Sequence, residues 1–183
     1  MNRLASPAQL RASFFRWALF LVPAIALLGF LSGQIGGASD SAWFSALEKP
    51  ATFPPPATFG IVWAVLYAMM GVALALVCAA WGARFRGPAI AAFVVQLLVN
   101  LAWSPVFFGA HQIATGLAVI IALDVAVIVT IILFWRVRRL AAWLLAPYLA
   151  WILFATLLNW QFLELNPGAD RVEDSNAVQR IEL

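Results

Sequence analysis

Three groups of aromatic and amide side chains recur at helical spacing. Trp63, Tyr67 and Gly71 form one; Gln96, Asn100, Trp103 and Phe107 a second; Tyr148, Trp151, Ala155 and Asn159 a third. Steps of three and four residues place each group on a single helix face. Indole, phenol and phenyl rings stack on flat conjugated molecules, while amides and phenols supply the few hydrogen bonds that orient a ligand. The same side chains also serve as large packing residues and hydrogen-bonding glue between helices. Spacing alone leaves both readings open. Because amides and phenols need partners in an apolar medium, all three faces are expected to point inward.

A fourth stretch, Trp43 to Pro56, completes the candidate site. Four of its fourteen residues are proline (Pro50, Pro54, Pro55 and Pro56), which fixes φ and removes backbone donors, favouring a stiff, extended form. It reads as a lid. Asp124 is the only acid inside an apolar run. Its insertion costs about 2.5–3.5 kcal/mol, so a compensating hydrogen bond to another helix is expected rather than a proton relay, for which no second ionisable group is at hand. His111, the single histidine, stands at a turn with no evident second ligand for a haem iron. Gly29 and Gly33 have the spacing for close helix contact. The lone Cys78 excludes an intrachain disulfide and a cysteine metal site. No phosphate-binding loop, catalytic triad or carboxylate pair is present.

The elements that must position these residues are membrane helices. The chain of 183 residues is 64% hydrophobic and 10% charged, with a mean hydropathy of +0.94, far more apolar than a soluble domain. Apolar runs at about 14–32, 57–81, 88–110, 113–135 and 140–163 each approach or exceed the roughly 20 residues that cross a bilayer. The expected fold is therefore an all-α bundle of five transmembrane helices, covering 14–163, with the lid between the first two. Residues 1–13 read as a polar lead. The tail 164–183 holds five of the eight acids and reads as disordered.

Five spans place eight of the eleven basic residues on the side of the N-terminus and three (Lys49, Arg171, Arg180) on the side of the lid. This bias predicts a cytoplasmic N-terminus, with lid and C-terminus outside. The net charge of +3 is scattered in short clusters and gives no reason to expect nucleic acid. Trp17, Trp81, Trp135 and Trp143 fall at the basic ends of spans and fit an interfacial belt, with Trp160 near the opposite one. Trp63, Trp103 and Trp151 lie roughly 9, 10 and 18 Å inside the outer helix ends, on the lid side.

Taken together the chain resembles the TspO/MBR family, the tryptophan-rich sensory proteins related to the mitochondrial translocator protein. The resemblance rests on Trp43-x3-Leu47-Glu48-Lys49-Pro50, the Pro54-Pro55 pair, Trp63-Ala-Val-Leu-Tyr67 and Gln96-x3-Asn100-x2-Trp103-x3-Phe107-Phe108-Gly109. Pro147-Tyr148-Leu149-Ala150-Trp151 and Leu158-Asn159 continue it, in family order over residues 14 to 166.

The resemblance implies a pocket closed by the first loop and usually a homodimer. It also implies binding of porphyrins such as protoporphyrin IX, with haem a further candidate, and of isoquinoline and benzodiazepine drugs, with no cofactor required. Trp43, Leu47, Lys49, Pro54, Pro55, Trp63, Tyr67, Asn100, Trp103, Phe107, Tyr148, Trp151, Ala155 and Asn159 are the implied ligand-binding set. Lys49 is either a partner for a propionate or a solvated loop charge. Trp63 and Trp151 match the tryptophans implicated in light-dependent porphyrin breakdown, and Asp124 stands where many members carry an acid. Two departures stand out. The stretch Leu158 to Glu164 ends in Glu where the cholesterol-recognition pattern has a base, so cholesterol binding is expected to be weak or absent. Ala51 and Phe53 replace tryptophans common in the lid. The leading expectation is a membrane tetrapyrrole receptor, inner membrane favoured over outer. The alternatives are a photo-oxidative porphyrin-degrading enzyme and a porphyrin or lipid transporter, although no inverted repeat supplies alternating access.

Overall fold

The computed structural model describes residues 7–35 and 41–171. Six α-helices form among them: α1 (Pro7–Ile35), α2 (Ala42–Ala46), α3 (Pro56–Cys78), α4 (Arg86–Ser104), α5 (Ile113–Val137) and α6 (Arg139–Leu165). All but α2 are long and apolar enough to cross a membrane. With so few charged residues and so much exposed apolar surface on these helices, the protein is a multi-pass integral membrane protein. The bundle closes as a ring. α1 packs on α3, α3 on α6, α6 on α5, α5 on α4, and α4 returns to α1.

Several boundaries differ from those read in the sequence. α1 begins at Pro7, inside the polar stretch 1–13; Pro at a helix start loses only an N–H that has no intrahelical acceptor. Residues 1–6 lie outside the described residues. α3 stops at Cys78, and Gly82 turns the chain at φ +79°, so Trp81 sits in the turn rather than on the helix. α6 runs through Glu164 to Leu165, and a 3₁₀ turn follows at Ala169–Arg171. The start of the acidic tail is thus ordered, while 172–183 lie outside the described residues.

The lid is not extended throughout. Ser41 caps α2 by accepting from the Phe44 amide at 3.2 Å, and Phe53 N–H donates to Pro50 C=O at 2.9 Å to close a turn. Pro56 then occupies the first position of α3.

The two halves of the bundle differ. At the arginine end the core is filled: Phe93 stacks on Phe134 at 5.8 Å, amid Val77, Ala89, Ala141 and Ala142. In the same half, Gly71 lets α3 lie close against α1, since a Cβ there would lie 2.6 Å from the Val22 Cα. At the lid end the helices separate around a cavity.

An aromatic cavity beneath the first loop

α4 gives way to a π-helical turn at Pro105–Gly109. Proline at 105 has no N–H for the Leu101 carbonyl four residues back and its ring crowds that group. Ala110 N–H instead donates to Pro105 C=O at 2.8 Å. The stranded Leu101 carbonyl receives the Ser32 hydroxyl of α1 at 2.6 Å. One imino acid thereby reshapes the cavity wall and ties α4 to α1.

The wall encloses about 720 Å³, within the usual range of small-molecule sites. α3 contributes the stacked pair Trp63 and Tyr67, with centroids 5.2 Å apart. Trp103 and Phe107, from α4 and its π turn, stack at 5.0 Å. α6 contributes Trp151, edge-on to Phe59 at 5.7 Å. Lys49 is the one charged side chain among the described lining residues, and its Nζ lies 5.4 Å from the Phe44 ring centre.

Polar side chains support the rings from behind in a single donor-to-acceptor chain. The Tyr67 hydroxyl donates to Asn100 Oδ1 at 3.0 Å, Asn100 Nδ2 to the Tyr148 hydroxyl at 3.0 Å, and that hydroxyl to Gln96 Oε1 at 3.0 Å. Trp103 Nε1 donates to Asn159 Oδ1 at 3.1 Å, while Asn159 Nδ2 donates to the Ile113 carbonyl at 2.9 Å. The buried Trp151 Nε1 has no partner among the described residues, which leaves a donor in a wall residue.

Of the residues singled out by sequence, Lys49, Trp63, Tyr67, Asn100, Trp103, Phe107, Trp151, Ala155 and Asn159 line the cavity. Five do not. Tyr148 is fully buried behind Asn100. Trp43 turns outward over the wall, stacking on His111 at 4.6 Å and meeting Phe107 edge-on at 5.8 Å. Leu47 is buried in the cluster of Phe44, Phe107, Ile113 and Phe162, and Pro54 and Pro55 shape the lid from outside the lining. His111 adopts a φ of +55° and belongs to the support of Trp43. Asp124 Oδ2 lies 2.8 Å from the Thr156 hydroxyl of α6, the interhelical bond its burial demanded.

The sequence reading noted Phe53 only as a replacement in the lid, and it missed Phe44 beside it in the roof, Phe59 and Phe162 in the walls, and the whole face of α1 from Ala26 to Gln34. A Cβ at Gly29 would overlap the Tyr67 ring, whereas one at Gly33 would meet nothing. The small-residue pair is therefore one packing site and one opening. On α1 no polar stripe marked the inner face, because lipid and cavity both accept apolar side chains.

The lid is fastened to the end of α6. Glu48 N–H donates to Asn166 Oδ1 at 2.8 Å and Asn166 Nδ2 returns to the Glu48 carbonyl at 3.0 Å. The Thr52 hydroxyl donates to Gln161 Oε1 at 2.6 Å. Asp170 in turn accepts from the Ile113 and Ala114 amides at 2.7 and 3.1 Å, satisfying free donors at the start of α5 where a negative charge is favoured.

Comparison with known proteins agrees with this architecture. The chain is 39% identical over 145 residues to the tryptophan-rich protein TspO of Archaeoglobus fulgidus, covering 78% of this chain and 92% of that one. It is 37% identical over 131 residues to protein CrtK of Rhodobacter capsulatus, covering 71% and 82%. Against the human translocator protein the figure is 39% over 129 residues, covering 69% and 76%. With the TspO/MBR family profile matching residues 20–165, nearly the whole bundle and its cavity, the chain belongs to the TspO/MBR family.

Proposed function

We propose that this membrane protein is a tetrapyrrole receptor that holds a porphyrin such as protoporphyrin IX in the cavity beneath the lid. The observation that carries this reading is the pairing of stacked aromatic walls with one cation. Trp63 over Tyr67 and Trp103 over Phe107 give flat faces to a flat macrocycle, and Lys49 stands at the roof. Trp151 adds a third indole to the same lining. No resident cofactor is needed for binding. The same cavity suits fused aromatic drugs of the isoquinoline and benzodiazepine type. Cholesterol fits less well at its expected motif: Leu158 and Phe162 line the cavity, Asn159 holds Trp103 and Gln161 holds the lid, so the stretch is occupied internally. A homodimer in the inner membrane, with the arginine end in the cytoplasm, completes the proposal.

A second reading has its own observation. Trp63 and Trp151, both oxidisable indoles, face the cavity, so a bound porphyrin excited by light in the presence of oxygen would have an electron donor beside it. Purified protein titrated with protoporphyrin IX in dim light should show saturable quenching of tryptophan fluorescence. Trp151→Phe should weaken binding only about threefold, since an aromatic ring remains to stack. Absence of saturation in the wild-type protein would reject the porphyrin receptor. Illumination then separates the readings: pigment loss no faster than in detergent alone leaves a receptor, and loss removed by Trp151→Phe makes an enzyme.

A further inference from the structure

At the arginine end, one guanidinium from the α3–α4 loop and one from the last turn of α5 converge on a single aromatic ring. Arg84, in the α3–α4 loop, lies 5.6 Å from the Phe85 ring centre, and Arg136, at the end of α5, lies 5.7 Å from the same ring. Arg139 stands 5.5 Å from the Trp135 ring, which meets Trp143 edge-on at 5.9 Å. All three arginines are exposed. The acids among the described residues are Glu48, Glu164 and Asp170, at the lid end, and Asp124 within α5, so no described carboxylate neutralises this group. Retention of positive charge on one side of a membrane accounts for the number of arginines there. It does not account for an α3–α4 loop arginine and an α5 arginine sharing one ring.

The geometry points to a binding site for the headgroup of an anionic phospholipid, with the phosphate held between Arg84 and Arg136 and Arg139 reinforcing the field. Two observations favour a lipid over a dissolved anion. Exposed Trp135 and Trp143 set the cluster at the level of the bilayer interface, where indoles reside and where phosphodiesters are concentrated. Planar guanidinium forks pair with phosphate oxygens in bidentate fashion, and basic clusters at helix ends select anionic lipids. Arg86 is excluded from the role, because its Nε donates to the Cys78 carbonyl at 3.0 Å and its guanidinium lies 4.2 Å from the Trp81 ring, closing the C-terminus of α3.

The test uses the full chain in phosphatidylcholine nanodiscs, with tryptophan quenching by brominated phosphatidylglycerol compared with equally brominated phosphatidylcholine. A preference for phosphatidylglycerol is expected, about fivefold for each arginine engaged. Arg84→Gln/Arg136→Gln should remove most of it, and Arg84→Lys/Arg136→Lys should keep part, since charge remains but the fork does not. Should the double glutamine variant melt early by circular dichroism, the single Arg139→Gln substitution takes its place and should lower the preference by about fivefold. Equal quenching by the two lipids would overturn the site, as would a preference unchanged in the folded variants. A preference erased by excess inorganic phosphate would also overturn it, by showing a small-anion site.

Discussion

At the scale of single residues, the relay from Tyr67 through Asn100 and Tyr148 to Gln96 shows how one wall of the cavity is made rigid. Each hydroxyl and amide points one way along the chain, so its members differ in what their removal strands. Tyr67→Phe leaves one acceptor, Asn100 Oδ1, without its donor and should destabilise by about 1 kcal/mol. Tyr148→Phe strands Asn100 Nδ2 and Gln96 Oε1 together in a buried site, and should destabilise by about 2 kcal/mol or more. Thermal melts in one detergent check the order; equal losses would mean that Tyr148 is not the centre of the relay. Helical spacing showed that Asn100, Tyr148 and Trp151 point inward. It did not separate Tyr148, whose hydroxyl serves the core, from Tyr67, whose ring serves the cavity. That distinction depends on how helices separate along their length, and a repeat of three and four residues carries no record of it.

At the scale of elements, the cavity depends on two fastenings that join segments distant in sequence. The Ser32 bond to the carbonyl stranded by Pro105 ties α1 to α4, and Ser32→Ala removes the donor from a partly buried acceptor. It should destabilise by about 1–2 kcal/mol in a detergent melt; an unchanged midpoint would show that the carbonyl is satisfied otherwise. Asn166 fastens the lid through two hydrogen bonds to the Glu48 backbone. Asn166→Ala should speed ligand release by about tenfold in stopped-flow fluorescence, while a melt without ligand changes little. Release at the wild-type rate would mean that the lid does not govern it. The five spans and the lid were legible from apolar run length and proline content. Asn166 was not, because it opens an acid-rich segment that composition alone assigns to a disordered tail, and its partner lies in the lid.

At the scale of the whole molecule, the bundle is a closed ring filled at one end and hollow at the other, and Gly71, Gly60 and Gly33 follow that division, whereas Gly29 lines the cavity and packs on Tyr67. Gly71 lies in the filled region, where a Cβ would strike the backbone of α1. Gly60 and Gly33 lie on the cavity lining, where a Cβ would meet nothing, so no packing constraint explains them. A glycine inside a helix costs about 0.5–1 kcal/mol relative to alanine, a penalty carried here in α3 with no close contact in return. Space for a ligand is the feature that the missing side chain provides, and stability exchanged for an open site is a common relation between the two. Gly60→Ala should therefore raise the melting midpoint by the helix-propensity gain of about 0.5–1 kcal/mol and leave porphyrin binding intact. Gly60→Leu should keep most of that gain but project a branched side chain into the cavity, weakening binding by about tenfold. Fluorescence titration of the two variants beside ligand-free melts reads both effects. If Gly60→Leu binds as the wild type does, the ligand does not pass or occupy this part of the cavity; if Gly60→Ala melts lower, the backbone at that position needs glycine for its own sake.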